Sequence, residues 1–167
     1  MRVAGHDAPP PMPPPDEHEF RRLRQDAVPQ PCAFERALLA RCAGCRLARP
    51  VLMAERESIG CSSAPAGERC RAYRGLLRES ARFALRIGAA GPLPFAKEIR
   101  LQCGGLIGLD DSLREDAHGG AVPAAAPADV DALLREALER YDGLEALPYS
   151  RIMRAVIRYE PRPRARR

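Results

Sequence analysis

The chain has 167 residues and carries 46% hydrophobic residues, but 28 of these are Ala and only 34 residues are Leu, Ile, Val or Phe. Trp is absent, and Phe and Tyr number four each. This excludes a large aromatic core and a two-domain cofactor enzyme, because so few large apolar residues cannot bury that much chain. The net charge is +5, and of the 27 basic residues only Lys97 is not Arg.

Charge is distributed in blocks. Residues 1–31 carry −1, residues 32–109 carry +7, residues 110–147 carry −7 and residues 148–167 carry +6. A basic body, an acidic strap and a basic tail point to internal charge complementarity before they point to nucleic acid.

Residues 1–31 read as a disordered arm. Six prolines between Pro9 and Pro15 favour an extended polyproline conformation. No signal peptide and no membrane-spanning run is visible, so a cytoplasmic location with reduced thiols is expected.

The body is expected over 32–109. Phe34, Leu38, Cys42 and Cys45 repeat at helical spacing, predicting a helix over 32–48 that Pro50 ends or kinks. A short helix over Val51–Ser58 follows, then a loop, GCSSAPAG, in which Ser62 or Ser63 offers a cap. The next helix is predicted from Glu68 to Ile87. Cys70, Tyr73, Leu77, Ala81 and Ala84 form its inner stripe, widened by Leu76 and Phe83, and Arg71, Arg74, Arg78, Arg82 and Arg86 its outer face. Residues 95–109 read as a short helix or extended segment that leads into a Gly-Gly loop at Cys103.

Residues 110–128 read as a linker. A helical hairpin packing on the body is expected over 129–160, with Asp129 as cap, Gly143 as stop and Pro148 opening the last helix. Residues 161–167 form a basic tail. The fold expected is mostly α: a small irregular helical bundle stapled by a cysteine-ligated metal site.

The cysteines are the main chemical feature: Cys32, Cys42, Cys45, Cys61, Cys70 and Cys103. Cys42-Ala-Gly-Cys45 is the one close pair. Its spacing turns two sulfurs the same way, and Gly44 eases the approach. Zinc sites often use two such pairs. Here the second pair is missing, and no histidine lies in the body, since His6, His18 and His118 fall in the arm and linker. An all-cysteine site remains, which suits an iron–sulfur cluster. Cys42, Cys45, Cys61 and Cys70 are the ligands expected, with Cys103 as the alternate. Gly104 and Gly105 would offer backbone N–H groups to cluster sulfides. Cys32, following Pro31 at a helix start, reads as a terminal or redox-reactive thiol outside the site.

Chain reversal is a requirement of that ligand set. A straight helix over 42–61 would separate Cys45 from Cys61 by ~24 Å at ~1.5 Å per residue. A turn near Arg49-Pro50 is therefore expected.

The last helix places Tyr149, Ile152, Met153, Val156 and Ile157 on one face. Arg151, Ile152, Arg154, Val156 and Arg158 are the candidate partner-binding residues, the alternative being a core-packing helix. No nucleophile elbow, P-loop or dinucleotide fingerprint is present, and no independent enzyme is expected.

These features favour a small iron–sulfur protein, with a 4Fe–4S cluster ahead of zinc. It would carry electrons or serve as an accessory to a larger redox enzyme or cluster-assembly protein. The alternative is a zinc-stabilised or metal-free adaptor that binds protein or nucleic acid through basic helices, nucleic acid being the less favoured partner.

Overall fold

The structure is a computed structural model and describes residue 22 and residues 26–53, 56–88, 91–118 and 126–161. The polyproline arm, the middle of the linker and the arginine-rich tail after residue 161 lie outside the described residues. The described chain is mostly helical, with one small antiparallel sheet.

Helix α1 spans only Glu35–Leu39. The predicted 32–48 helix stops early because Arg41 takes a left-handed φ of 55°, a conformation that ends helices. Strand β1 (Ala48–Met53) and strand β2 (Arg56–Cys61) then form a hairpin. Its register pairs Ala48 with Cys61 and Met53 with Arg56. This replaces the predicted Val51–Ser58 helix. Pro50 cannot sit inside a helix, yet it is tolerated in a strand with a single neighbour. The reversal lies between the strands, beyond the expected Arg49-Pro50.

Residues 28–32 belong to the body. Val28 is buried, and Pro31 bridges Gly60 along β2. Cys32 N–H donates to the Ile59 carbonyl at 2.9 Å, and Cys61 N–H donates to the Gln30 carbonyl at 2.8 Å. The arm expected over 1–31 therefore ends before Val28.

Helix α2 runs over Ala64–Ser80. Ser63 caps it by accepting the Ala66 N–H, and Pro65 stands in its first turn. Tyr73 and Leu77 face the core, and the Tyr73 ring lies 5.9 Å from that of Phe34. The helix stops at Ser80, so Phe83 falls out of phase with the inner stripe and is 96% exposed.

Helix α3 is the long element, Phe95–His118. The Gly-Gly loop and the first part of the linker are both absorbed into it. Helix α4 (Val130–Tyr141) starts at its Asp129 cap and stops at Asp142 and Gly143, both at positive φ. Helix α5 (Tyr149–Arg158) follows Pro148. These two starts and stops agree with the sequence reading.

Glycine explains how α3 meets α5. A Cβ at Gly104 would lie 2.5 Å from Val156 Cα, and one at Gly108 would lie 2.9 Å from Ile152 Cα. The two glycines, four residues apart, clear a groove in which the backbone of α5 lies. Gly104→Ala must push two helix backbones apart. We expect it to cost ~3 kcal/mol, the upper range for overpacking a core. Gly75→Ala, where no atom lies within 4 Å, should instead be neutral or stabilising. Chemical denaturation of both variants checks the contrast.

The charge blocks meet inside the molecule. Arg151 of α5 pairs with Asp116 at 2.7 Å, and Arg46 of the body pairs with Asp129 at 2.9 Å. No helix among the described residues is long and apolar enough to cross a membrane.

Candidate metal site

Two cysteines leave the expected ligand set. Cys42, in the loop after α1, is joined by a disulfide to Cys103 in the middle of α3, with a Cα–Cα distance of 5.7 Å. Both are buried. Reduced thiols throughout were expected, and the correction follows from α3 running straight under that loop. Gly104 and Gly105 point elsewhere too: Gly104 meets α5, while a Cβ at Gly105 would meet the Leu77 side chain. They offer nothing to a cluster.

The other four cysteines are free. Cys32, Cys45, Cys61 and Cys70 line one apolar cavity, together with Phe34, Leu38, Leu47 and Val130. Each sulfur arrives from a different segment of the chain. Cys32 precedes α1 and is held by its bond to Ile59. Cys61 ends β2, opposite Ala48. Cys45 lies three residues before Ala48, whose N–H donates to the Cys45 carbonyl at 3.1 Å. Cys70 lies two turns into α2, whose Ala66 and Gly67 also line the cavity. The hairpin thus supplies the reversal that the sequence reading required. Cys45, Cys61 and Cys70 were expected there; Cys32 was not.

Backbone groups lie beside two of the sulfurs. The Phe34 backbone N–H beside Cys32 and the Leu47 and Asp131 backbone beside Cys45 pull those thiols down in pKa, the Asp131 N–H itself being donated to the Asp129 carboxylate at 3.1 Å. In both cases one donor lies two residues after the cysteine. Such bonds favour thiolate over thiol and steady sulfur ligands. Cys61, in contrast, donates its S–H to the Ser63 carbonyl at 3.2 Å.

Burial opposes ionisation across the cavity. It pushes the Cys32 thiol up to about 11, against a backbone hydrogen bond from Phe34 that pulls it down, with the neighbouring Cys45 and Cys61 adding repulsion. Burial pushes Cys70 up to about 12, reinforced by Cys32, Cys45 and Cys61. Cys45 is raised as well, chiefly by burial. Four thiolates in one apolar cavity need a positive centre to offset them, and a bound metal provides one. No group of three or more His, Cys, Asp or Glu side chains among the described residues is arranged to hold a metal ion as placed.

The raised thiols have a consequence for the metal-free protein. A thiol at 9.0 when unfolded and about 11 or 12 when folded keeps its proton longer in the folded state. Its contribution to stability is full below pH 9 and is lost as pH rises toward 11–12. Metal-free protein should therefore lose denaturation midpoint steadily above pH 9. Serine at Cys32 and Cys70 together should flatten that decline.

A cluster of charge borders the cavity. Asp131, at the start of α4, lines it and is 3% exposed. Its carboxylate accepts from Arg46 at 2.5 Å, Arg69 at 2.5 Å and Arg135 at 3.2 Å.

The partner-binding residues expected on the last helix are largely turned inward. Ile152 and Val156 are fully buried against α3, and Arg151 is engaged by Asp116 and Glu115. Arg154 and Arg158 remain exposed. Ile152 and Val156 answer the glycine groove and Tyr149 and Met153 are partly buried beside them, while Ile157 is 52% exposed.

No family model, curated protein or solved structure matches this chain.

Proposed function

We propose that the chain is a small iron–sulfur protein whose cluster is held by Cys32, Cys45, Cys61 and Cys70, and that it carries electrons for, or serves as an accessory to, a larger redox system. The observation that carries this reading is the sorting of six cysteines. Two close a disulfide, and the four left free line a single apolar cavity.

Donor chemistry supports the reading. Four sulfurs without a histidine or an unengaged carboxylate suit a thiophilic centre, and an iron–sulfur cluster is usually held by four thiolates. When bound, the cluster supplies one-electron transfer. The chain's own residues would hold it and exclude water through Phe34, Leu38 and Val130.

Anaerobic purification followed by iron, sulfide and zinc analysis tests the proposal. About four iron and four sulfide per chain, with a broad visible absorption bleached by dithionite, is the expected result. One zinc per chain without sulfide would transfer the site to structural zinc. Neither metal, even after reconstitution, would overturn it.

A further inference from the structure

We propose that the start of α4 is a clasp that positions Cys45, with Asp131 as its positioning residue. This rests on the four-cysteine site proposed above.

Cys45 lies in a stretch with no helix or strand of its own. What sets its sulfur must therefore come from outside. On one side the Cys42–Cys103 disulfide ties the stretch to α3. On the other, residues 127–131 close over it. Gly44 N–H donates to the Pro127 carbonyl at 2.9 Å, and Val130 N–H donates to the Gly44 carbonyl at 2.9 Å. The next N–H, that of Asp131, donates to the Asp129 carboxylate at 3.1 Å, and Asp131 and Cys45 line the same cavity. A Cβ at Gly44 would lie 2.5 Å from the Ala128 carbonyl oxygen, so the approach requires glycine.

Charge locks this backbone contact. Arg46, the residue after Cys45, donates to Asp129 through its guanidinium at 2.9 Å and to Asp131 at 2.5 Å. Asp131 also accepts from Arg69, the residue before Cys70, at 2.5 Å. One buried carboxylate thus joins the chain neighbours of two candidate ligands. Removing the carboxylate leaves Arg46, Arg69 and Arg135 facing one another with only Asp129 to offset them. Repulsion then opens the clasp at Cys45, and the far side of the cavity stays shut.

The test uses the full chain with its disulfide intact. Metal-free wild type and Asp131→Asn are alkylated with iodoacetamide, and each free cysteine is followed by mass spectrometry. Cobalt(II) affinity is measured beside it by competition with a chelator. In Asp131→Asn we expect Cys45 to react about 10-fold faster, with Cys32, Cys61 and Cys70 changed less than twofold. Cobalt binding should weaken by about 10–100-fold, the usual effect of losing a group that supports a ligand. A merely structural role would raise all four thiols together, and that result overturns the proposal, as does no change at Cys45. Gly44→Ala wedges the same contact without altering charge and should give the same selective exposure of Cys45, which keeps the test decisive if Asp131→Asn unfolds. Wild type that binds neither cobalt nor iron, yet shows Cys45-selective exposure in the variant, would overturn the metal reading and leave the clasp standing.

Discussion

On the proposed four-cysteine site, serine in place of Cys32 should abolish cluster or metal binding, and serine in place of Cys42 should weaken it only moderately. This reverses what spacing alone implies, since Cys42 and Cys45 form the one close pair. The reversal follows from where the chain runs. Cys32 is bonded to Ile59 beside β2 and lines the cavity. Cys42 does not line it and is bonded instead to Cys103 of α3. Losing any one of four thiolates removes a covalent ligand, and metal affinity should fall by several orders of magnitude in Cys32→Ser, Cys45→Ser, Cys61→Ser and Cys70→Ser alike. Metal content after anaerobic reconstitution of all six single variants is the measurement. Metal lost in Cys42→Ser and kept in Cys32→Ser would return the site to the set expected from spacing.

Removing the disulfide should produce the largest loss of stability. Its cysteines are 61 residues apart in sequence. Closing a loop of that length restricts the unfolded chain by ~4 kcal/mol at most, and ~3 kcal/mol is the typical return. The bond also anchors the stretch that carries Cys45 to α3. Cys42→Ala with Cys103→Ala should therefore lower Tm by roughly 10 °C, given how steeply a domain of this size responds to lost stability. It should also weaken metal binding moderately through the loosened Cys45 stretch. Calorimetry against the wild type, oxidised and reduced, checks this. Equal melting of oxidised and reduced protein would show that the bond adds nothing.

Much of this molecule follows from local pattern. Asp129 as a cap, Gly143 as a stop and Pro148 before the last helix were legible because each acts on its own neighbours. Ser63 as the cap of α2 was legible for the same reason. So was the division into basic and acidic blocks, which reappears as the Arg151–Asp116 and Arg46–Asp129 pairs.

Long-range contacts produced the departures. Residues 32–48 have helical spacing, but the apolar positions are buried by a hairpin and by α3 instead of by continued helix. The Gly-Gly pair reads locally as a loop. It lies in mid-helix because α3 gains more from α5 in its groove than it loses in glycine entropy. The same packing turns Ile152 and Val156 inward.

Six cysteines, no histidine in the body and few large apolar residues are properties of composition, and they make an all-sulfur site the expectation before any fold is known. Which sulfurs meet is a property of the path. Cys32 joins Cys61 through strand pairing across 28 intervening residues, and Cys42 is removed by a bond to a helix 61 residues away. Spacing along a chain reports only what the backbone brings together within a turn or two. Partners this distant are chosen by pairing and packing, which bury the same residues whatever their order in sequence.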